Sequence, residues 1–379
     1  MATSPLSFYI HVPYCVKRCG YCDFNTYTPS ELNGDLKSVS FGYVDQLIKE
    51  SEIAKSRINN EISTIFIGGG TPTLLEPTDL ERILNHLKNN FGFKNDIEIT
   101  IEANPDSVTP EKLGELRSIG INRISFGMQS SVTHVLKVLD RTHNPENVSK
   151  AVTGAKSAGF EEINLDLIYG TPGESIEDWR ASIKSALVLP ITHISAYALI
   201  IEEGTKLANQ VKRKEFEEPE DGETAEKYLM ADREFTTAGL NWYELSNWSK
   251  PGSECMHNMA YWKGDNWWGL GPGSHSHING ERFWNIKHPN SYKAALASGN
   301  PVAGSEKLSI SEIESERVML EIRMPSGIDK ASLKSAQLKN AEQYLEGGEL
   351  DIEAWQSGRL ALTVQGRLVA DRIVRSILF

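Results

Sequence analysis

Residues 7–12 read SFYIHV, and the next ten residues, PYCVKRCGYC, contain Cys15, Cys19 and Cys22. A short apolar run that ends at a proline predicts a buried β-strand. Five similar runs follow along the chain, at residues 64–67, 98–102, 123–127, 162–167 and 193–199. Amphipathic stretches that predict helices lie between them, at residues 42–55, 78–89, 110–119, 145–158 and 176–187. Apolar strands that alternate with helices predict a parallel sheet.

Such a sheet is either a doubly wound open sheet or a full or partial TIM-type barrel. Polar or glycine residues lie at or just after the ends of several predicted strands: residues 68–71, Glu102, Gln129, Asp166 and Tyr197. A barrel collects groups from many strands at one mouth, whereas an open sheet usually binds its ligand at one switch point. The pattern therefore favours a barrel. Thr78 with Glu81 predicts a capping box, and Pro110 predicts a first helical turn.

The pattern changes from about Glu306. Helices are predicted at residues 311–321, 329–345 and 369–378, with a short strand at 359–363. A few helices with a small ribbon indicate a winged-helix-like module. We expect three parts: a barrel over residues 1–240, an aromatic-rich extension near the barrel mouth over 241–304, and the C-terminal module over 305–379.

The charge balance limits the partners. The 379 residues include 51 acidic and 39 basic side chains, which give a net charge of −12. A nucleic-acid binder needs a basic surface, so a nucleic-acid partner is not expected. There is no apolar run of about 18 residues to span a membrane, and the N-terminus lacks the pattern of a secretory signal. We therefore expect a cytoplasmic protein without an integral membrane segment.

The chain has only four cysteines, and three of them lie within eight residues. This is not a disulfide framework, and in a reducing compartment it indicates a metal or catalytic site. Structural zinc sites close with four ligands, and ordinary ferredoxin clusters also use four cysteines. Three thiolates would bind three irons of a [4Fe–4S] cluster and leave the fourth open to a small molecule. The alternative, three incidental cysteines, is disfavoured by their spacing.

The spacing Cys-x3-Cys-x2-Cys after a first strand resembles the radical S-adenosylmethionine superfamily. The resemblance implies an incomplete (β/α)6 barrel, in which Cys15, Cys19 and Cys22 hold the cluster. It also implies that the amino and carboxylate groups of S-adenosylmethionine chelate the open iron. Residues 67–72, IGGGTP, are similar to the glycine motif of that superfamily; the alternative is a tight turn. Further cofactor contacts implied by the resemblance bring the set to Tyr9, Gly69, Gly70, Thr71, Glu102, Gln129, Arg141, Asp166 and Ala198.

Residues 242–284 contain six of the eight tryptophans, three of the nine histidines and Cys255. Aromatic crowding is common in protein cores, but aromatic walls with a histidine also suit a tetrapyrrole. Residues 257–262, HNMAYW, and 269–276, GLGPGSHS, are similar to motifs of HemW-type heme chaperones. That resemblance extends over the whole chain, and it implies heme contacts at His257, Tyr261 and Trp262. A core or capping role for His257 remains open. Cys255 is either an incidental thiol, which is the favoured interpretation, or a heme contact.

Oxygen-independent coproporphyrinogen III oxidase belongs to the same group, and there the cluster motif continues with another cysteine. Phe24 occupies that position here. The expected function is therefore a heme chaperone that binds a [4Fe–4S] cluster, S-adenosylmethionine and heme, with the oxidase as the alternative. The resemblance implies heme-accepting proteins as partners, respiratory-chain enzymes among them. No catalytic residue is assigned, and the oligomeric state stays open.

Overall fold

A computed structural model describes residues 5–379. Met1–Ser4, the first residues of the N-terminal stretch considered as a signal, lie outside the described residues. The strands are β1 Leu6–Val12, β2 Ile62–Gly69, β3 Phe93–Ala103, β4 Arg123–Gln129, β5 Glu162–Tyr169, β6 His193–Ala198, β7 Asn241–Glu244, β8 Asn247–Ser249, β9 Asn266–Leu270, β10 His275–Ile278, β11 Glu281–Asn285, β12 Val302–Lys307, β13 Ile328–Asp329 and β14 Arg359–Leu360. All six strands predicted from the sequence are present, as β1 to β6.

Helices fill most of the connections. They are α1 Leu36–Ser40, α2 Tyr43–Arg57, α3 Pro77–Phe91, α4 Pro110–Ser118, α5 Thr133–Val138, α6 Pro145–Ser157, α7 Ile176–Leu187, α8 Lys206–Lys212, α9 Asp221–Thr237, α10 Met256–Trp262, α11 Pro289–Ala297, α12 Ile310–Glu321, α13 Ser335–Glu346, α14 Ile352–Gln356, α15 Val364–Leu368 and α16 Ala370–Leu378. Pro110 occupies the first turn of α4 as predicted. The predicted capping box at Thr78 is wrong, because Glu76 is the N-cap of α3 and Pro77 takes its first position.

One large sheet organises the first four-fifths of the chain. Its strand order is β12-β11-β10-β9-β1-β2-β3-β4-β5-β6-β8-β7. Strands β1 to β6 are parallel and follow one another in chain order, without the reversal that defines a doubly wound sheet. Their carboxyl ends therefore lie along one edge. The segment predicted as an aromatic extension supplies strands to both sides of this parallel set.

The last part of the chain has a hydrophobic cluster of its own. Helix α16 buries Ala370, Ile373, Val374 and Ile377, a spacing that places all four on one helix face. They belong to a cluster that is separate from the one beneath the large sheet. Strands β13 and β14 form a two-stranded antiparallel ribbon beside it. Arg367 joins the two parts through an ion pair with Asp232 at 2.6 Å.

A buried carboxyl group joins α2 to the segment around β10 and β11. Glu50 is only 2% exposed and accepts hydrogen bonds from the Gly271 N–H at 2.8 Å, the Asn285 amide and the Tyr292 hydroxyl. Burial raises the pKa of Glu50 to about 7. Buried polar groups of this kind are costly unless every donor has its acceptor, so Glu50 holds the aromatic segment against α2.

Glu50→Gln is expected to lower the free energy of unfolding by about 1–3 kcal/mol, because an amide has one acceptor oxygen and leaves a buried donor unpaired. Thermal melts followed by circular dichroism measure the change. Glu52→Gln, two residues further along α2 on an exposed position, is the matched control and should melt as the wild type does. Equal melting temperatures for all three proteins would show that Glu50 is not an anchor.

Candidate functional site

The three clustered cysteines lie in the loop that follows β1, where all are free thiols of intermediate exposure. The loop folds back on itself: the Cys15 N–H donates to the Tyr27 carbonyl at 3.1 Å, and the Tyr27 N–H donates to the Pro13 carbonyl at 2.7 Å. The Cys22 N–H donates to the Cys19 carbonyl at 3.3 Å. Backbone hydrogen bonds thus shape the loop before any metal binds.

The glycine loop after β2 lies directly against the cysteine loop. The Gly70 N–H donates to the Val12 carbonyl at 2.7 Å, and the Thr71 N–H donates to the Tyr14 carbonyl at 2.8 Å. A Cβ atom at Gly70 would lie 2.5 Å from the Tyr14 oxygen and 2.9 Å from the Cys15 Sγ. Only glycine permits this approach, so Gly70 is needed to bring the glycine loop against the Cys15 thiol.

Two carboxyl groups of intermediate exposure lie behind these loops. The Gly69 N–H donates to Glu102 Oε2 at 3.0 Å, while Asp166 accepts from the Ser125 hydroxyl and the Asn164 amide, each at 2.7 Å. Burial, with the nearby charge of Asp166, raises the pKa of Glu102 to about 8. Burial also raises the pKa of Asp166. The site therefore holds acceptor groups that a ligand with hydroxyl or amino donors would stabilise.

Arg141 connects the cysteine loop to the ends of β3 and β4. Its guanidinium lies 3.3 Å from the Cys19 Sγ and donates to Asn104 Oδ1 at 2.7 Å and to the Gly127 carbonyl at 2.9 Å. The Asn104 amide donates to the Thr71 hydroxyl at 3.0 Å. The sequence analysis assigned no role to Asn104, although its place just past β3, next to Glu102, was a usable signal.

These groups line one cleft of about 420 Å³, which is within the usual range for small-molecule sites. The predicted residues that line it are Cys15, Cys19, Cys22, Gly69, Gly70, Thr71, Glu102, Gln129, Arg141, Asp166 and Ala198. Gln129 adopts a left-handed backbone (φ 61°) at a bulge in β4. Tyr9 is the exception, because its ring lies in a neighbouring cavity with its hydroxyl 3.0 Å from His11 Nδ1.

The donor set fits an iron–sulfur cluster. Burial raises the pKa of Cys15 to about 11 and also raises that of Cys22, so both thiols are protonated at neutral pH unless a metal takes the proton's place. Among residues 5–379, no group of three or more His, Cys, Asp or Glu side chains is placed to hold a single metal ion. In a cubane cluster each thiolate binds its own iron, so three separated thiols facing one cleft are suitable ligands.

A smaller cavity of about 160 Å³, named the barrel cavity after the predicted barrel, is lined by residues of β1 to β6 and α10, and Glu102 and Asp166 are among them. His257 lines it and is 1% exposed. The Thr64 hydroxyl lies 2.8 Å from His257 Nδ1, and the Tyr261 hydroxyl lies 2.9 Å from Nε2. Burial lowers the pKa of His257 to about 3. Both ring nitrogens are therefore engaged within the protein.

The other two residues that the resemblance implies as heme contacts, Tyr261 and Trp262, lie in different surroundings. Tyr261 lines the barrel cavity and also faces a second, apolar cavity, where its ring packs edge-on against Trp267 at 4.8 Å. Trp262 lines neither, and its indole N–H has no hydrogen-bond partner among residues 5–379. Cys255 is buried in the barrel cavity, 3.5 Å from Glu98, and takes no part in the cysteine loop.

The cysteine loop, the glycine loop and the parallel sheet define the class of protein. A profile of the Radical SAM superfamily matches residues 9–186. The structure of coproporphyrinogen III oxidase (HemN) from Escherichia coli, a Radical SAM enzyme, has a similar fold: the TM-score is 0.85 at 22% identity, with 99% of this chain and 90% of that chain covered. The chain is thus an α/β protein whose large, mostly parallel sheet resembles the Radical SAM barrel.

Comparison with curated relatives identifies the family within this class. Heme chaperone HemW from Mycobacterium tuberculosis is 44% identical over 380 residues, covering 100% of this chain and 96% of the relative. HemW from Bacillus subtilis is 34% identical over 328 residues, covering 86% and 85%, and HemW from Escherichia coli is 35% identical over 276 residues, covering 72% and 70%. This chain belongs to the HemW family.

Gly70→Ala is expected to abolish most cluster assembly, because the added methyl group cannot fit between the Tyr14 carbonyl and the Cys15 thiol. Iron and sulfide per chain after anaerobic reconstitution measure the loss. Gly114→Ala is the matched control, since a Cβ at Gly114 meets nothing within 4 Å. Full iron content in Gly70→Ala would contradict the role of the glycine loop in positioning Cys15.

Proposed function

We propose that this protein is a heme chaperone: it binds a [4Fe–4S] cluster, S-adenosylmethionine and heme, and delivers heme to heme-dependent proteins. The HemW relatives and the cleft support the proposal together. Respiratory-chain enzymes are the proposed acceptors, and the cytoplasm the proposed location. In the described part of the chain, no helix has the length and apolar character to cross a bilayer.

The identity of residue 24, a phenylalanine, is the observation that favours the chaperone over the oxidase. Its phenyl ring is 63% exposed and lines the cleft just after Cys22. The oxidase motif has a cysteine at this place, and a phenyl ring offers neither a metal ligand nor a redox-active group. The alternative, oxygen-independent coproporphyrinogen III oxidase, is kept because the fold resembles that of HemN.

Cys15, Cys19 and Cys22 would hold the cluster, with one iron left for the amino and carboxylate groups of S-adenosylmethionine. When bound there, the pair supplies one-electron reductive chemistry. Glu102 and Asp166 would accept hydrogen bonds from the nucleoside, while Arg141 orients the loop through the Cys19 sulfur. Gln129 and Ala198 lie on the cleft wall, where they would contact the adenosyl part. Tyr9 would act from the neighbouring cavity, next to Glu102.

We also propose a modular division: a barrel over residues 1–240, the aromatic-rich segment over 241–304, and a winged-helix-like module over 305–379. The separate hydrophobic cluster of the last part supports an independent module. His257, Tyr261 and Trp262 remain proposed heme contacts. His257 would contact heme through its ring carbon atoms, because both of its ring nitrogens already make hydrogen bonds within the protein.

Anaerobic reconstitution distinguishes the two functions. The protein is loaded with iron and sulfide, and one portion receives heme while another receives coproporphyrinogen III, reductant and S-adenosylmethionine. We expect stable heme binding, measured by absorbance titration, and no protoporphyrinogen formation, measured by chromatography. Robust protoporphyrinogen formation would overturn the proposal. A variant with Cys15, Cys19 and Cys22 replaced by alanine should hold no cluster iron, and a cluster in that variant would refute the ligand assignment.

The affinity for S-adenosylmethionine should depend on the protonation of Glu102. Ribose hydroxyls donate to a carboxylate better than to a carboxylic acid, so binding releases the proton that Glu102 holds near neutral pH. With a pKa of about 8 in the free protein, the affinity should rise as the pH increases from about 7 to 9. The gain is roughly tenfold at most, because about a tenth of the group is ionised one unit below its pKa.

Calorimetric titration of the reconstituted protein measures this dependence. Glu102→Gln removes the titrating group, and the variant should lose the component of the pH dependence that Glu102 supplies. If wild type and Glu102→Gln have parallel pH profiles, Glu102 does not bind the ribose.

A further inference from the structure

An apolar cavity lies beside the cofactor cleft, on the side of the tryptophan-rich segment. Its volume is about 380 Å³, within the range of small-molecule sites. Aromatic rings from three separate segments line it: Tyr9 from β1, Phe24 from the cysteine loop, and Tyr261 with Trp267 from α10 and β9. The proposed cofactor contacts Tyr9, Gly69 and Glu102 account for only part of this lining. Flat aromatic walls of this kind suit a planar, largely apolar ligand.

Two histidines, His11 and His275, line the apolar cavity, and they differ in the hydrogen bonds that their ring nitrogens make. His11 uses both: Nδ1 lies 3.0 Å from the Tyr9 hydroxyl, and Nε2 lies 2.8 Å from the Asn25 carbonyl. His257, on the far side of Tyr261, also uses both. The ring of His275 makes no hydrogen bond with any residue in 5–379, and it is exposed to solvent. Of these three, His275 alone can bind a metal without losing an existing bond.

His275 is supported by two tryptophans, although its ring nitrogens make no hydrogen bond with any residue in 5–379. The residue begins β10, and its carbonyl accepts the Trp267 indole N–H at 3.1 Å. Its imidazole stacks on Trp284, the cross-strand neighbour, with 5.8 Å between ring centres and 23° between the planes. Trp284 in turn lies against Gly304, where a Cβ would come within 2.5 Å of the indole. The imidazole is therefore held on an aromatic platform.

The electrostatic surroundings keep this imidazole neutral. Partial burial and the nearby positive charge of Lys287 lower the pKa of His275, although Glu306 acts in the opposite direction. A neutral imidazole is the form that binds iron. Lys287 is exposed, and its backbone carbonyl accepts a hydrogen bond from the Asn25 amide at 2.9 Å. Its positive charge lies near enough to affect the imidazole of His275, which lines the cavity.

We propose that His275 is the protein ligand of the heme iron, and that the apolar cavity between Phe24, Tyr261 and Trp267 receives the porphyrin face. This inference rests on the proposed heme-binding function and locates its site. Lys287 would pair with a propionate. Because Phe24 and His275 are exposed, a porphyrin there stays within reach of an acceptor protein, as hand-over requires. Phe24, Gly69 and Glu102 line both this cavity and the cofactor cleft, so the two ligands would share a wall.

The test is a heme titration of the reconstituted full-length protein, read by Soret-excited resonance Raman and electron paramagnetic resonance, which report the axial ligand. Four proteins are compared: wild type, His275→Gly, His257→Phe and His134→Ala. His134 is exposed on α5 and lines none of the cavities described above, so its variant is the matched control. His275→Gly is then titrated with added imidazole.

We expect His275→Gly to lose the histidine–iron signature and to bind heme at least tenfold more weakly. Added imidazole should restore the signature, which a merely structural role of His275 would not allow. His134→Ala should match wild type, and His257→Phe should retain the signature even if its affinity falls. If His275→Gly keeps the histidine–iron signature, the assignment of His275 is overturned, whether or not His257→Phe loses that signature. The proposed heme-binding function would not be affected by this result. Absence of heme binding in the wild type overturns the proposed function as well.

Discussion

The close approach of two backbone segments is the constraint on which the site depends. The loops after β1 and β2 run side by side, with the Gly70 N–H on the Val12 carbonyl at 2.7 Å and the Thr71 N–H on the Tyr14 carbonyl at 2.8 Å. No side chain fits between them at residue 70. This contact places the first cysteine over the carboxyl ends of the parallel strands. The cleft, the carboxyl groups and Arg141 are all arranged around that position.

Burial tunes the groups that face the cleft. Glu102 and Asp166 lie close enough to repel each other, and desolvation raises the pKa of both. The protein tolerates these carboxyl groups because the Gly69 N–H, the Ser125 hydroxyl and the Asn164 amide satisfy part of their hydrogen-bonding capacity. Both residues line the cleft. A polar ligand with hydrogen-bond donors would offset part of the desolvation free energy of these carboxyl groups when it binds.

The tryptophan-rich segment is continuous with the barrel and shares its sheet. Strand β9 pairs in parallel with β1, and Trp268 and Phe283 belong to the main hydrophobic cluster. Glu50 fastens the turn before β10 from the opposite side. As a result, an aromatic cavity forms next to the cofactor cleft, and Phe24 lies on the boundary between the two. The fold of HemN is similar, so the difference proposed here between chaperone and oxidase rests on individual side chains.

Local patterns in the sequence determined much of this protein. Alternating apolar runs and helical stretches predicted β1 to β6, and the resemblance carried by the cysteine spacing and the three glycines implied that both loops contact the cofactors. These features are readable because they depend on residues close together in the chain. The additional strands β7 to β12 were not predicted, since their pairings join residues far apart in sequence.

The hydrogen bonding of the histidine rings was decided only by the tertiary structure. The motif residue His257 is enclosed, with Thr64 and Tyr261 on its two nitrogens, whereas His275 keeps a free imidazole at the surface. Whether a ring nitrogen is free depends on partners that folding brings together, and no local pattern records them.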